Sequence, residues 1–383
     1  MRRGLSGTYE VTSPGGEVVR AFIPAGLPPV PALKLDELQI ALERASVALG
    51  RLDSVATLLP DTALFLYTYV RKEAVLSSQI EGTQSSLSDL LLFELEEAPG
   101  VPIDDVTEVS NYVAAMNLGM ARLREGMPVS SRLIREIHGA LLARGRGSER
   151  NPGEFRHSQN WIGGTRPGNA MYVPPPYEEV GSSISALEHF IHDEDSGLPT
   201  LVKAALAHVQ FESIHPFLDG NGRVGRLLVT LLLCDQGLLQ EPLLYLSLYF
   251  KQNRDEYYRL LTSCRADGDW ESWVAFFLDG VASTAQDAAE TAQRLVAVFD
   301  ADRMLVQGLG RKSGSALRVL ESLKSRPLLL LPEVVAATGL SYPAASSGME
   351  SLEELGIVRE LTGKKRNRVY AHREYLELLS EGT

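Results

Sequence analysis

From residue 35 to about 59 the chain reads LDELQIALERASVALGRLDSVATLL, with leucine, isoleucine and valine returning at every third or fourth position. That period predicts an amphipathic helix. A second helix is expected after Pro60, with Asp61 as its cap, running through FLYTYVRKEAVLSSQIEG to a stop at Gly82. The same period recurs in DVTEVSNYVAAMNLGMARLREG, SSRLIREIHGALLARG and EEVGSSISALEHFIHDE. It returns in LVKAALAHVQFESI, GRVGRLLVTLLLCDQG, QNRDEYYRLLTSCRADG and WESWVAFFLDGVASTAQDAAETAQRLVAVF. Two stretches break it. The start, as far as PAGLPPVPAL, is rich in proline and glycine and predicts extended chain over the surface. The segment NPGEFRHSQNWIGGTRPGNAMYVPPP combines a Gly-Gly turn with Trp161, Ile162, Tyr172 and Val173, which predicts a β-hairpin with an exposed tip.

Beyond Gly308, Gly310 and Gly314, which read as a linker, the grammar changes. Three helical pieces, SALRVLESL, PEVVAATG and YPAASSGMESLEELG, precede two strand-like pieces around TGKKRNR. That order predicts a winged helix-turn-helix. The fold class is therefore mainly α, with a short β-hairpin and a C-terminal winged module.

Composition narrows the class. With 383 residues, 44% of them hydrophobic, the chain can build two or three cored domains. No stretch reaches the roughly 20 apolar residues of a membrane span, and MRRGLSGTYE has no apolar segment behind its arginines. Cys234 and Cys264 suit buried thiols in a reducing compartment, and a cytoplasmic location is expected. A net charge of -12 argues against a nucleic-acid coat, while leaving room for a local basic patch.

The chemistry concentrates in SIHPFLDGNGRVGRLL, residues 213–228. Gly220, Asn221 and Gly222 sit where one helix has stopped and the next begins, and the new helix's free amides favour an anion. Arg223 and Arg226, three apart, can face the same anion, and two guanidiniums suit a polyphosphate. Asp219 offers a hard oxygen ligand for Mg2+. His215 is the side chain whose ordinary pKa suits a general base near neutrality. Together they point to phosphoryl- or nucleotidyl-transfer chemistry.

His215, Phe217, Asp219, Gly220, Asn221, Gly222, Arg223 and Arg226 fill every defined position of a pattern resembling the Fic motif, HxFx[DE]GNGRxxR. The resemblance implies a helical core that moves AMP from ATP onto a Ser, Thr or Tyr hydroxyl of a target protein, or of itself, and releases pyrophosphate. It implies that His215 deprotonates the hydroxyl, that Phe217 fixes the loop and that Asp219 holds Mg2+. Asn221 and the Gly220 and Gly222 amides would bind phosphate oxygens, within a nucleotide-binding run that includes Val224 and Gly225. Arg223 and Arg226 would take the β- and γ-phosphates. Upstream, Ser77, Glu81 and Gly82 in SSQIEG resemble the inhibitory signature [ST]xxxE[GN], which implies that Glu81 pairs with Arg226 in place of the γ-phosphate. Tyr257 and Tyr258 resemble a tyrosine pair bordering the adenine pocket, and residues Gln159 to Val173 resemble a flap that docks the target by strand addition.

The implied organisation is an N-terminal helical region with the inhibitory helix (1–100), a Fic catalytic core (101–290), a helix end and linker (291–310) and the winged module (311–383). A homo-oligomer is expected, with ATP and a target protein as partners. Removal of AMP from a modified target, and transcription regulation with the core as a sensor, are the rival functions. Lys364, Lys365, Arg366 and Arg368 form a basic wing suited to DNA phosphates, yet the third helix carries Glu350, Glu353 and Glu354 and no basic residue. His208, Glu212 and His215 share one helical face, but His208 reads better as a hydrogen-bonded core histidine than as a metal ligand.

Overall fold

The structure, a computed structural model, describes residues 2–58, 62–95, 102–364 and 367–381. The expected cap Asp61 and the wing residues Lys365 and Arg366 lie outside them. The N-terminal stretch departs from the expectation of extended chain. β1 (Gly7–Thr12) and β2 (Val19–Pro24) pair antiparallel, from Gly7↔Pro24 to Thr12↔Val19. Tyr9, Val11, Val19, Phe22 and Ile23 are good strand formers on either side of the Pro14–Gly16 turn, and their preference outweighs the prolines beyond. Ala21 and Phe22 are fully buried.

The helical body begins with α1 (Leu35–Leu58), α2 (Thr62–Ile80) and α3 (Leu87–Glu94). It continues through α4 (Ile103–Arg124), α5 (Ser131–Leu141) and α6 (Val180–His192). At its centre α7 (Thr200–Ile214) and α8 (Asn221–Asp235) are buried on nearly every face. Leucine, valine and alanine fill most of both helices, so the polar residues there are the informative ones. α9 (Ser247–Gln252), α10 (Arg254–Asp267) and the long α11 (Trp270–Gln307) complete the layer, with α1 lying along α11. No described helix is long and apolar enough to cross a membrane.

The expected hairpin at residues 159–173 is reduced to one antiparallel bridge. Ile162 N–H donates to the Tyr172 carbonyl at 2.8 Å and Tyr172 N–H returns to Ile162 at 3.1 Å. A 3-10 turn, Pro167–Asn169, interrupts any longer ladder. This loop leans on the N-terminal hairpin. Phe22 N–H donates to the Val173 carbonyl at 2.9 Å, and Glu17 accepts from Arg166 Nη1 at 2.9 Å and from Gly168 N–H at 2.8 Å.

The stretch 291–310, read as a helix end and linker, is α11 as far as Gln307, followed by a short turn. The C-terminal segment then runs α12 (Ser313–Ser325), β3 (Leu328–Leu330), α13 (Leu331–Thr338), α14 (Tyr342–Glu354), β4 (Val358–Glu360), β5 (Val369–His372) and α15 (Arg373–Ser380). Its sheet has the antiparallel order β3–β5–β4. The segment packs onto the body through α2, α3 and α11. Thr68 and Tyr375 share a buried hydroxyl contact of 2.9 Å, and His372 Nε2 lies 2.8 Å from Asp302.

Candidate active site

α7 ends at His215, whose backbone is left-handed, with φ 49° and ψ 60°. A non-glycine residue in that region costs about 1–2 kcal/mol, and a following proline further favours extended chain instead. The reversal brings the chain into a tight loop before α8. Gly220, at φ 76°, caps α8 in the same left-handed region.

The loop is closed from inside by Asn221. Its Oδ1 accepts from Phe217 N–H and its Nδ2 donates to the Phe217 carbonyl, both at 2.8 Å. The expectation that this side chain binds phosphate is therefore corrected: its amide is committed to the loop, and Asn221 positions the neighbouring main chain. Phe217 is buried and stacks on His138 with ring centroids 3.7 Å apart. His138 Nδ1 accepts from Gly153 N–H at 2.9 Å, so the proton sits on Nε2, which donates to the Asp219 carbonyl at 3.1 Å. Burial drives His138 down to about 4 and keeps the ring neutral.

His215 itself stays partly exposed. Its Nδ1 has no partner of regular hydrogen-bond geometry among the described residues. Burial, then the positive charge of Arg156, push its pKa down to about 4, while the Glu212 carbonyl and Glu81 pull the other way. The imidazole is thus neutral. It borders a cleft of about 220 Å3 lined by Glu81, Glu108, Asp219, Gly222 and Arg223.

Both loop arginines are buried and already paired. Arg226 donates to Glu81 Oε1 at 2.7 Å, to Ser77 Oγ at 2.9 Å and to the Ser77 carbonyl at 3.0 Å. Burial opposes ionisation of Glu81, but Arg226 outweighs it and holds the carboxyl below its ordinary range. Gly222 makes room for this pair, since a Cβ there would lie 2.3 Å from Glu81 Oε1. Arg223 donates to Glu108 Oε2 at 2.9 Å and faces Asp219 at 3.5 Å, and Arg146 approaches the other Glu108 oxygen at 2.6 Å. Asp219 Oδ1 accepts from Gly220 N–H at 2.6 Å. Its side chain is 39% exposed, so the carboxylate still reaches the cleft as a hard oxygen donor.

The residue pattern behind this loop extends along the chain. The Fic/DOC family N-terminal profile matches residues 40–121, and the Fic/DOC family profile matches residues 128–233, the whole loop included. Residues 40–233 of the chain thus carry the two adjoining Fic/DOC family regions. The chain is distantly related to protein adenylyltransferase Fic: the Drosophila grimshawi protein of that name is 33% identical over 181 residues, 47% of this chain. That match spans about a third of the relative's length, 34%. In fold, a Fic family protein from Desulfovibrio desulfuricans superposes with a TM-score of 0.56 at 19% identity, covering 87% of this chain and 95% of that one. Fic-1 from C. elegans superposes with a TM-score of 0.50 at 24% identity, covering 67% of this chain and 73% of that one. The architecture is the mainly helical Fic fold with small two- and three-stranded sheets.

Three expected Fic site residues sit differently from their reading. Tyr257 is buried, with its hydroxyl donating to His208 Nε2 at 2.9 Å and its ring stacked on Phe250, so it offers no open face to a base. Its neighbour Tyr258 is the exposed member of the pair, at 40%. Val224 places its side chain wholly in the core. Gly225 presents its carbonyl to His208 Nδ1 at 3.0 Å, which makes His208 the hydrogen-bonded core histidine expected of it. Among the described residues no group of three or more side chains that could hold a metal ion occurs. Glu108, His138 and Arg156 were not singled out from sequence. A carboxylate in phase with Tyr112 and Ala115 on α4, and an imidazole in phase with Ile134 and Leu141 on α5, are the signals that mark the first two.

Proposed function

We propose that this Fic/DOC protein is an adenylyltransferase that moves AMP from ATP onto a hydroxyl of a target protein, or of itself. The observation that carries this reading is the neutral, partly exposed His215 beside a cleft bounded by Arg223, Asp219 and the start of α8. The name of the distant relatives, protein adenylyltransferase Fic, supports it. In the proposed step the target oxygen bonds to the α-phosphorus, the bond to the bridging oxygen of the β-phosphate breaks, and pyrophosphate leaves. The hydroxyl proton passes to His215. Asp219 would hold Mg2+, which supplies positive charge to the phosphates when bound. The helix N-terminus and Arg223 add to the same field. The flap from Gln159 to Val173 is the proposed docking edge for the target.

Glu81 makes the resting protein autoinhibited in this reading. While it holds Arg226, the guanidinium that would meet the γ-phosphate is neutralised. Incubation with Mg2+ and ATP labelled at either the α- or the γ-phosphate tests the reaction class. Label from the α position alone is expected on the protein; label from the γ position would mean phosphoryl transfer and sink the proposal.

For the C-terminal segment we infer a winged helix-turn-helix, supported by the order α12–β3–α13–α14–β4–β5. Glu350, Glu353 and Glu354 are exposed on α14, while Arg359, Lys364 and Arg368 are exposed on the wing side. DNA binding by the full chain is therefore expected to be weak and sequence-tolerant. Its salt dependence should have a log–log slope no steeper than about -4, from the four wing charges. Titration of duplex DNA at several salt concentrations checks this. Tight, sequence-selective binding would make regulation of transcription the primary role.

A further inference from the structure

Arg156 is 1% exposed, and the carboxylate that acts on it, Glu178, does so without a salt bridge among the described residues. Its guanidinium fans out over main-chain carbonyls instead. Nε donates to the His215 carbonyl at 3.0 Å, Nη1 to Ser158 at 3.2 Å, and Nη2 to Pro175 at 2.5 Å and Ile214 at 3.5 Å. The Arg156 main-chain N–H adds a bond of 2.9 Å to the Pro216 carbonyl. Three successive carbonyls, those of Ile214, His215 and Pro216, are thereby tied to one residue. They span the left-handed turn that aims the imidazole. Strained backbone of this kind persists only where its surroundings over-determine it, and here the determinant is a buried cation. Asn160 extends the same scaffold, with Nδ2 donating to the Phe217 carbonyl at 2.8 Å.

We propose that Arg156 is the positioning residue of the transfer reaction, holding His215 in its left-handed, cleft-facing pose through the carbonyls on either side of it. This rests on the adenylyltransferase reading. Arg156 also acts through its charge. The charged side chains acting on His215 are Arg156 from the segment after α5, Glu81 after α2 and Arg265 on α10, with the Glu212 carbonyl on α7. Of the two cations, Arg156 weighs more. Removing a positive neighbour makes protonation easier, so its loss moves His215 upward.

Two substitutions separate pose from charge, both placed in the Glu81→Gly protein so that transfer is fast enough to measure. Arg156→Lys keeps the charge and loses the planar fan; Arg156→Gln loses both. The expected result for Arg156→Lys is a fall in kcat of about ten- to a hundredfold, since misplacement by about 1 Å carries losses of that size. KM for ATP should stay within about twofold of the parent, because nothing in the cradle changes. Arg156→Gln is expected to lose at least as much, and the His215 ring, followed by NMR titration, to protonate at a higher pH than the parent. That titration needs no catalysis. If the Glu81→Gly parent itself transfers nothing, the adenylyltransferase reading fails on its own, apart from the scaffold. Parent-like kcat in Arg156→Lys, or an unmoved His215 midpoint in Arg156→Gln, overturns the positioning role. Should Arg156→Gln fail to fold, Arg156→Lys still decides.

Discussion

His215→Ala is expected to lower AMP transfer by about two to four orders of magnitude, the range a positioned general base contributes, and to leave ATP affinity nearly unchanged. In the proposed reaction the base acts on the incoming hydroxyl, whereas the anion would be held by the start of α8 and its arginines. At about 4 the imidazole of the resting protein is fully neutral at pH 7, but it is a weak base. An arriving triphosphate adds negative charge nearby, which favours the imidazolium and moves the group toward the range where general bases work best. Transfer by the wild type should therefore fall as pH drops through the pKa of the nucleotide complex, and the residual rate of the variant should lack that limb. Isothermal titration with ATP alongside single-turnover transfer separates the two roles. An affinity loss as large as the rate loss would assign His215 to binding.

Glu81→Gly is expected to raise transfer about tenfold to a hundredfold. A charge-assisted hydrogen bond of the Arg226–Glu81 kind contributes about 1.5–3 kcal/mol, and each 1.36 kcal/mol is about tenfold in rate. The lower end is favoured because the Glu81 side chain is 36% exposed and water screens the pair. Arg226 keeps its orientation when the carboxylate goes, since Ser77 Oγ and the Ser77 carbonyl still accept from it. The substitution thus removes a countercharge and leaves the guanidinium aimed. Automodification with α-labelled ATP, compared at equal protein concentration, reads the effect. A rate at or below that of the wild type would rule out Glu81 as an inhibitor.

The helices and the loop were legible because they rest on local rules. Periodicity of three and four marks α1, α2, α4 to α8, α10 and α11, and the break at His215-Pro216 followed by Gly220 marks a helix junction. The short α3 and α9 carry too few turns for the period to show. The pairing of Glu81 with Arg226 was also anticipated, and the 2.7 Å contact is present. What escaped is non-local. Glu108 meets Arg223 across 115 positions of chain, and no sequence window contains both. Arg156 reaches His215 across 59 positions and satisfies itself on carbonyls, which leave no residue-type signature. Tyr257 was misread because adjacent tyrosines on a helix point to different faces, and only the packing says which one enters the core. At the N-terminus proline content masked a strand pair, and at the flap a Gly-Gly turn suggested more ladder than Pro167 allows.

α11 is a continuous helix of 38 residues, about 57 Å long at 1.5 Å per residue, and it belongs to both halves of the molecule. Ala288, Ala292 and Leu295 are buried along its middle, and Phe299 and Val306 are buried toward its far end. Phe299 packs against Tyr375 with ring centroids 5.5 Å apart. A cut anywhere along it leaves an apolar stripe bare, so the two halves are expected to unfold together. Mass action then couples them without any moving part. A ligand that binds the folded C-terminal segment, and not its unfolded chain, raises the melting temperature of the His215 loop as well, and a nucleotide bound at that loop protects the distant sheet against unfolding.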